Sequence, residues 1–297
     1  MVDDSLDILL LGATGQIGAA LLPELQALGR VDAVGRQRCD LADSKAIEAL
    51  LAGRKPHIII NAAAYTAVDR AETEPELAQR LNAELPRQLA AFAFQHNALL
   101  VDFSTDYVFD GAAPRPWRET DQPAPLNVYG RTKLEGLREI EGSGCRYLVF
   151  RVTWIYARRG NNFPNTMLRL AAEREALSVV SDQIGAPTPA SWIAETVVRC
   201  LPQVLVDEGK CGLYNLAPAG SVSWYDFACE IIAGALARGR QLKVTPDTVA
   251  PLSSADYPTA ARRPANSLLD TGKLQRAFAI LPPHWRSLLD REGILDP

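Results

Sequence analysis

The sequence of 297 residues contains few cysteines and few histidines, and neither type is clustered. Its five cysteines include no Cys-x-x-Cys pair and their number is odd, so they do not predict a disulfide framework. Scattered cysteines of this kind are typical of a reducing compartment, and we predict a cytoplasmic protein. The three histidines lack the spacing of metal ligands, and we predict no metal site.

The sequence also lacks an excess of positive charge and any long apolar run. The first residues, "MVDDSLDILLLGATG", are acidic where a signal peptide would be basic, so we expect neither a secretion signal nor a membrane segment. A formal net charge of −4 gives no general attraction to nucleic acid or to an anionic membrane. We therefore predict no nucleic-acid partner and no membrane partner, while a local basic pocket for one phosphate-bearing ligand remains open.

Strand and helix patterns alternate through the first half of the chain. "LDILLLGATGQIGAALLPELQALG" predicts an apolar strand, a glycine-rich turn and a helix, and "HIIINAAA" predicts a strand buried on both faces. "ALLVDFSTDYVF", "RYLVFRVTWIY" and "LYNLA" predict further strands, and Ser44 is predicted to cap the helix "SKAIEALLAG". The alternation predicts an α/β fold with a doubly wound parallel sheet of the Rossmann type.

After Tyr156 the alternation becomes less regular. We predict a dinucleotide-binding domain over residues 1–156, to which residues 190–220 return. Residues 157–189 and 221–297 are predicted to form a smaller α/β lobe that binds the substrate.

The stretch "GATGQIG" places Gly12, Gly15 and Gly18 between the first predicted strand and its helix. Glycine permits a tight turn there and lets the backbone approach a pyrophosphate at the start of the helix. A glycine triplet alone is weak evidence, but the strand before it and the helix after it supply the context of a dinucleotide site.

The second predicted strand ends at "VGRQRCDLAD", with no acidic residue where a carboxylate would bind the ribose hydroxyls of NAD. Arg36 and Arg38 stand there instead, and guanidinium groups suit a 2′-phosphate. We predict that NADPH is preferred and that NADH is also accepted; two solvated surface arginines are the alternative. Asp40 and Leu41 are placed to flank the adenine, although packing and capping would explain them equally well.

Polar side chains follow the strand in "FSTDYVFDG", where Ser104, Thr105 and Asp106 are predicted to emerge at the edge of the sheet that binds ligands. Further along, "NVYGRTK" holds Tyr129 and Lys133 one helical turn apart. An ammonium group beside a phenol favours the phenolate, so we expect Lys133 to lower the pKa of Tyr129 into a range useful for proton transfer.

These motifs occur together with "NAAAYTAVDRAE", "RVTWIY", "NNF", "DQIGAPT" and "RRPANSLL". From Ile8 to about Leu269 the combination resembles the extended short-chain dehydrogenase/reductases and, within them, the dTDP-4-dehydrorhamnose reductase family. The resemblance implies reduction of the C4 ketone of dTDP-4-dehydro-β-L-rhamnose. The product, dTDP-β-L-rhamnose, is a donor for bacterial surface polysaccharide such as lipopolysaccharide.

The resemblance also implies roles for single residues. Tyr129 would be the general acid, Lys133 would lower its pKa and bind the nicotinamide ribose, and Thr105 would hydrogen-bond the sugar oxygen. With the residues discussed above, the predicted cofactor-binding set is Gly12, Gly15, Gln16, Ile17, Gly18, Arg36, Asp40, Leu41, Asn61, Ala62, Ala63, Ala64, Tyr129 and Lys133. The implied set for the dTDP-sugar is Thr66, Val68, Thr105, Tyr107, Tyr129, Trp154, Arg263 and Asn266. Core packing of Trp154 and a surface position for Arg263 are the alternatives.

One departure from the family concerns metal and assembly. Some relatives carry two acidic residues in a magnesium-linked dimer contact, and this sequence has Ala20 and Ser191 at the matching positions. A magnesium bridge is therefore doubtful, and a homodimer is possible without it.

Two other functions compete with the reductase. Sugar-nucleotide dehydratases resemble one another in a Thr-Asp-Glu run. Here Thr105 and Asp106 are followed by Tyr107 in place of the glutamate. This difference disfavours dehydration but leaves an epimerase or another reductase open. A non-catalytic subunit similar to the β subunit of methionine adenosyltransferase would keep the glycine loop. The intact set of Thr105, Tyr129 and Lys133 favours an enzyme.

Overall fold

The computed structural model describes residues 6–297. The strands are β1 (Leu6–Leu11), β2 (Gly29–Val34), β3 (Ile58–Asn61), β4 (Leu99–Thr105), β5 (Arg146–Val152), β6 (Ile155–Tyr156), β7 (Leu177–Val180), β8 (Ile184–Gly185), β9 (Thr188–Pro189), β10 (Gly212–Asn215), β11 (Val222–Ser223) and β12 (Val249–Leu252). The helices are α1 (Gln16–Leu25), α2 (Ser44–Leu51), α3 (Val68–Ala71), α4 (Pro75–Gln79), α5 (Leu85–His96), α6 (Val128–Gly142), α7 (Phe163–Glu173), α8 (Ala190–Val206), α9 (Trp224–Ala237), α10 (Gly272–Phe278) and α11 (Trp285–Arg291).

Six parallel strands form the central sheet, in the order β10-β5-β4-β3-β1-β2. This confirms the predicted α/β fold with a doubly wound parallel sheet. The strand order changes direction between β1 and β3, which is the point where open sheets of this kind bind ligands. Leu11 at the end of β1 lies level with Val34 and with Asn61, so the strand ends share one edge.

The core lies on both faces of this sheet because successive strand residues point in opposite directions. Ile8 and Leu10 of β1 face a cluster that includes α1 and α8, while Leu9 and Leu11 face a second cluster that includes α2, α5 and α6. Each fully buried leucine or isoleucine contributes about 1.5–3 kcal/mol through removal of its apolar surface from water. The continuous apolar runs of the sequence are therefore explained by helices on both sides.

A segment of π-helix, Arg80–Glu84, joins α4 to α5 without a break. The sequence predicts an ordinary helix over this stretch, and the wider turn is a difference from that prediction. Helix α6 packs so closely here that a Cβ on Gly136 would overlap the carbonyl oxygen of Asn82. The π-segment therefore lies directly against the helix that carries Tyr129 and Lys133.

The smaller lobe has its own core, in which Tyr156, Phe227 and Trp285 pack together. Short strand pairs, β7 with β12, β8 with β11 and β6 with β9, support it. Helix α10 differs from the predicted division of the chain, because Leu274 and Phe278 pack in the core beneath the large sheet. Residues 190–220 supply α8, which packs on α1, and β10, which pairs with β5.

The residue that caps α2 differs from the predicted one. Asp43, not Ser44, caps α2: its carboxylate accepts a hydrogen bond from the Lys45 amide at 2.9 Å, and Ser44 is the first helical residue. An aspartate is as good a cap as a serine, so the sequence allowed either.

All five cysteines are free thiols. Within residues 6–297 no helix combines the length and apolarity needed to cross a bilayer.

Candidate active site

The glycine loop sits between β1 and α1, and its three glycines have different reasons to be there. Gly12 has a φ of +73°, which disfavours other residues, and a Cβ on Gly18 would overlap the Gly12 carbonyl. A Cβ on Gly15 would meet no atom of residues 6–297 closer than 3.4 Å. Gly15 is the N-cap of α1 and no side chain in the described structure caps the helix, so its first N–H groups have no side-chain acceptor. This cradle fits a dinucleotide pyrophosphate.

The loop after β3 lies against the glycine loop. The backbone of Ala62 and Ala63 is close enough to Gly12 to exclude a side chain there. Asn61 does not face the cleft with its amide, because the side chain is buried and donates to Asp102 at 2.6 Å. The side chain of Gln16 accepts a hydrogen bond from Asn162 at 3.1 Å, which links the cofactor loop to the smaller lobe.

The two arginines after β2 have different surroundings. Arg38 is bonded by both terminal nitrogens to Asp32, one bond being 3.1 Å, and the hydrogen bond from Arg38 lowers the pKa of Asp32. Asp32 also accepts from Arg54 at 3.0 Å. Arg36 is exposed and forms no ion pair with any residue that the structure describes. Of the two, Arg36 is the one available to a 2′-phosphate.

Arg36→Ala is expected to raise the KM for NADPH by about tenfold or more, or about 1.4 kcal/mol, and to leave the KM for NADH nearly unchanged. The reason is that only NADPH carries the phosphate that a guanidinium would bind. Initial rates with both cofactors at low and high salt would measure it, and the effect should shrink at high salt. Arg38→Ala is the matched control, because Arg38 is already bonded to Asp32. Equal losses with both cofactors would mean that Arg36 supports the fold or the adenine pocket.

Asp40 and Leu41, predicted to flank the adenine, have local roles in the structure. The Asp40 carboxylate accepts from the Ala42 amide at 3.0 Å, which shapes the turn before α2. Leu41 packs at the edge of the core cluster next to α2. Both lie beside the cleft end of β2, and their contact with a cofactor stays a prediction.

Helix α6 presents Tyr129 and Lys133 beside the end of β4. Asn127 caps the helix by accepting from the Gly130 amide at 2.7 Å, which sets where its first turn begins. The side chain of Lys133 is 5% exposed and its ammonium lies 3.6 Å from the carboxylate of Asp102, also 5% exposed. Two buried charges are tolerated because they pair.

Tyr129 does not have the lowered pKa that the sequence predicts. Desolvation around the half-buried phenol raises its pKa to about 12, and the Thr105 hydroxyl opposes the shift. The expected lowering by Lys133 is not seen, and the ammonium of Lys133 lies beside the carboxylate of Asp102 instead. A phenol with a raised pKa keeps its proton near neutral pH, as a general acid must.

The predicted sugar side of the cleft begins at Tyr107, whose ring meets that of Tyr129 edge to face at 5.6 Å. Thr66 is exposed, and Val68 opens α3 at the rim. Arg263 is half-buried and is held by Asp69 through two bonds of 2.6 and 3.1 Å. Arg263 is thus held by an ion pair, its contact with substrate stays a prediction, and an anion would have to share it with Asp69 or replace Asp69.

Two residues of the implied sugar set have strong structural contacts. Trp154 stacks on Trp224 with ring centroids 3.4 Å apart and covers Gly185, although its φ of 44° is unusual. The amide nitrogen of Asn266 donates to the backbone carbonyls of Ala113 and Arg115, at 2.7 and 2.9 Å. Both residues shape the lobe wall, and direct contact with substrate stays a prediction for each.

Sequence reasoning missed two buried polar residues. Asn82 in the π-segment accepts from the Tyr65 amide at 2.8 Å and donates to the Tyr65 carbonyl and the Thr132 hydroxyl, both at 3.1 Å. It therefore ties the loop after β3, which contains Tyr65, to the turn of α6 that carries Lys133. Asp102 had a signal, because a carboxylate inside an apolar strand needs a partner. Asn82 had none, since an asparagine in a helix is usually exposed.

The positions linked to magnesium in some relatives hold a different contact. The Ser191 hydroxyl is hydrogen-bonded to the carboxylate of Glu292, and Ala20 offers no ligand. Across residues 6–297 no group of three or more His, Cys, Asp and Glu side chains is arranged to hold a metal ion.

Known proteins resemble this chain along nearly its whole length. The family model for the RmlD substrate binding domain matches residues 6–292. A dTDP-4-dehydrorhamnose reductase of Salmonella typhimurium is 43% identical over 94% of both chains, and one of Escherichia coli is 42% identical over 95% of both. A crystal structure of dTDP-4-dehydrorhamnose reductase from Bacillus anthracis in complex with NADP has 34% identity and a TM-score of 0.87, covering 98% of this chain and 99% of its own.

Proposed function

This chain belongs to the RmlD substrate binding domain family, that of the dTDP-4-dehydrorhamnose reductases, and on that premise we propose its reaction. It is an NAD(P)-dependent oxidoreductase. It uses NADPH to reduce the C4 ketone of dTDP-4-dehydro-β-L-rhamnose to the hydroxyl of dTDP-β-L-rhamnose. The family favours this reaction over a dehydratase, an epimerase or a non-catalytic subunit.

The observation that supports the reaction best is the meeting of Thr105, Tyr129 and Lys133 at one edge of the sheet. Thr105 ends β4, and its hydroxyl is close enough to Tyr129 to affect the pKa of the phenol. Tyr129 and Lys133 share one face of α6. The glycine loop and the Ala62–Ala63 backbone lie at the same edge, since all the strands are parallel.

Each group has one task in the reduction. When bound, the cofactor supplies a hydride from its nicotinamide ring. Tyr129 donates its phenolic proton to the C4 oxygen, and Thr105 holds that oxygen by a hydrogen bond. Lys133 would bind the nicotinamide ribose, with its ammonium paired to Asp102, which in turn accepts a hydrogen bond from Asn61. Arg36 would bind the 2′-phosphate.

The diphosphate of the dTDP-sugar would bind at Arg263. This guanidinium belongs to the segment "RRPANS" and lies beside α3, where Asp69 already orients it. A diphosphate offers more negative charge than one carboxylate, so it can compete for the arginine. Tyr107, Thr66 and Val68 would border the sugar and the base.

We also propose that the protein works in the cytoplasm and can form a homodimer. All five cysteines are free, which suits a reducing compartment. The dimer rests on the family resemblance, and the contact of Ser191 with Glu292 does not require a metal.

The experiment is to incubate pure protein with NADPH and dTDP-4-dehydro-β-L-rhamnose and to follow the absorbance of the reduced cofactor. We expect oxidation of NADPH that depends on the sugar nucleotide, with slower but measurable oxidation of NADH. A panel of other keto-sugar nucleotides tests the choice of sugar and base. Tight binding of NADPH without turnover of any sugar would favour the regulatory-subunit alternative instead.

A further inference from the structure

A buried carboxyl lies next to the catalytic hydroxyl and has no task in the mechanism above. Asp106 follows β4 directly and is 2% exposed. Its Oδ1 lies 3.2 Å from Oγ1 of Thr105, while the same Oγ1 accepts a hydrogen bond from the Tyr107 amide at 3.2 Å. Its Oδ2 is also buried and has no hydrogen-bond partner among residues 6–297. The one hydrogen bond that the described residues form with this carboxyl is therefore the one with Thr105.

The surroundings of Asp106 shift its ionisation towards the neutral form. Burial raises the pKa of Asp106 to about 6, although the hydroxyls of Ser267, Thr105 and Thr153 stand close enough to oppose the shift. The other ionisable groups that face it are the phenols of Tyr107 and Tyr129 and the guanidinium of Arg151.

Arg151 on β5 does not neutralise the carboxyl. Its guanidinium donates to the side-chain oxygen of Asn215 at 3.3 Å and lies 4.7 Å from the centre of the Phe109 ring. It forms no ion pair with Asp106 in the described structure. A bound cofactor and substrate would remove further water from Asp106, which disfavours the anion still more.

The protonation state of Asp106 determines which group can receive the hydroxyl proton of Thr105. Thr105 has one hydroxyl proton. If Asp106 is a carboxylate, it can only accept, and while the Thr105 hydroxyl donates to it no proton remains for a substrate oxygen. If Asp106 is a carboxylic acid, it can donate to Oγ1 of Thr105, and the Thr105 proton is then free to reach the C4 oxygen.

We propose that Asp106 acts as a neutral carboxylic acid that directs the Thr105 hydroxyl towards the carbonyl oxygen of the substrate. It is a positioning residue, since it reaches the substrate only through Thr105. The inference rests on the proposed ketone reduction and deepens it. In this arrangement Asp106 donates a proton to the Thr105 hydroxyl, the same hydroxyl that holds the reacting oxygen.

The test compares kcat/KM of the wild type and Asp106→Asn from about pH 5.5 to about pH 8.5. An asparagine amide can donate to Thr105 at every pH, and it cannot ionise. In the wild type we expect kcat/KM to fall about tenfold per pH unit above the pKa of Asp106 in the enzyme that has not yet bound the sugar nucleotide. In Asp106→Asn the fall should vanish, with a value about threefold below that of the wild type at low pH because an amide is the weaker donor.

Two further measurements separate positioning from support of the fold. In a Thr105→Val background, Asp106→Asn should cause no further change in kcat/KM, because no hydroxyl remains to be directed. Infrared difference spectra should show the carbonyl band of a protonated carboxyl at low pH in the wild type and not in Asp106→Asn, and this readout needs no turnover.

A pH profile that is unchanged in Asp106→Asn, or a loss of about a hundredfold at every pH, would overturn the inference, since either result means that the proton on Asp106 is not what matters. If the wild type fails to reduce the keto-sugar at all, the proposed function fails. The infrared band then decides alone whether Asp106 is neutral.

Discussion

Tyr129→Phe is expected to lower kcat by about 10²–10⁴ while leaving the affinity for NADPH within about threefold of the wild type. In the proposed reaction the phenol proton would be delivered to the C4 oxygen, and phenylalanine keeps the ring that packs edge to face against Tyr107. Steady-state turnover and a fluorescence titration with NADPH would measure the two effects separately.

Tyr107→Phe is the matched control, because it removes a phenol oxygen from the neighbouring ring. We expect its kcat to change by less than about tenfold, with the larger effect on KM, since in the proposed reaction Tyr107 would border the sugar and donate no proton. Near-normal turnover in Tyr129→Phe would place the general acid on another residue.

Lys133→Met is expected to reduce the free energy of unfolding by about 3–5 kcal/mol, in addition to weakening turnover and cofactor binding. The change leaves Asp102 buried beside Asn61 without its cation. Thermal or urea unfolding would measure the loss. The double variant Asp102→Asn, Lys133→Met should recover most of it, because neither buried charge remains.

The same variant should depend on pH in a defined direction. Burial already raises the pKa of Asp102, with Lys133 opposing, and loss of Lys133 raises it further. A carboxyl whose pKa is higher in the folded than in the unfolded state binds more protons when folded, so stability falls as the pH rises through the folded-state pKa. Lys133→Met should therefore be closest to the wild type at low pH. A deficit that is constant with pH and persists in the double variant would indicate lost packing of the lysine chain.

The large sheet was predictable because its signals are local. Residues 58–60 of β3 are all isoleucine, which indicates burial on both faces, and the glycine loop marks where β1 ends and α1 begins. The π-segment at Arg80–Glu84 could not be predicted, since it depends on how closely α6 approaches at Gly136. The place of α10 against the large sheet is likewise a long-range contact.

The site also has parts that the local sequence predicts and parts that depend on long-range contacts. Tyr129 and Lys133 follow from a four-residue spacing on a helix, and the glycine loop follows from its neighbours. The pKa of Tyr129 did not follow, because it is raised by desolvation, which depends on how the folded chain packs around the phenol. Arg263 and Asp69 are far apart in the chain, so their bond could not be read from either segment alone.

The position of β10 has a consequence for synthesis of the chain. Strand β5 ends at Val152, but its outer neighbour β10 is not complete until Asn215, about 60 residues later. At about 5–20 residues per second, a ribosome needs several seconds to make that stretch. During this time β5 is the open edge of a nascent sheet, with unpaired backbone groups that another strand could engage. The same insertion that builds much of the smaller lobe therefore prolongs the period in which the growing chain is most prone to aggregation.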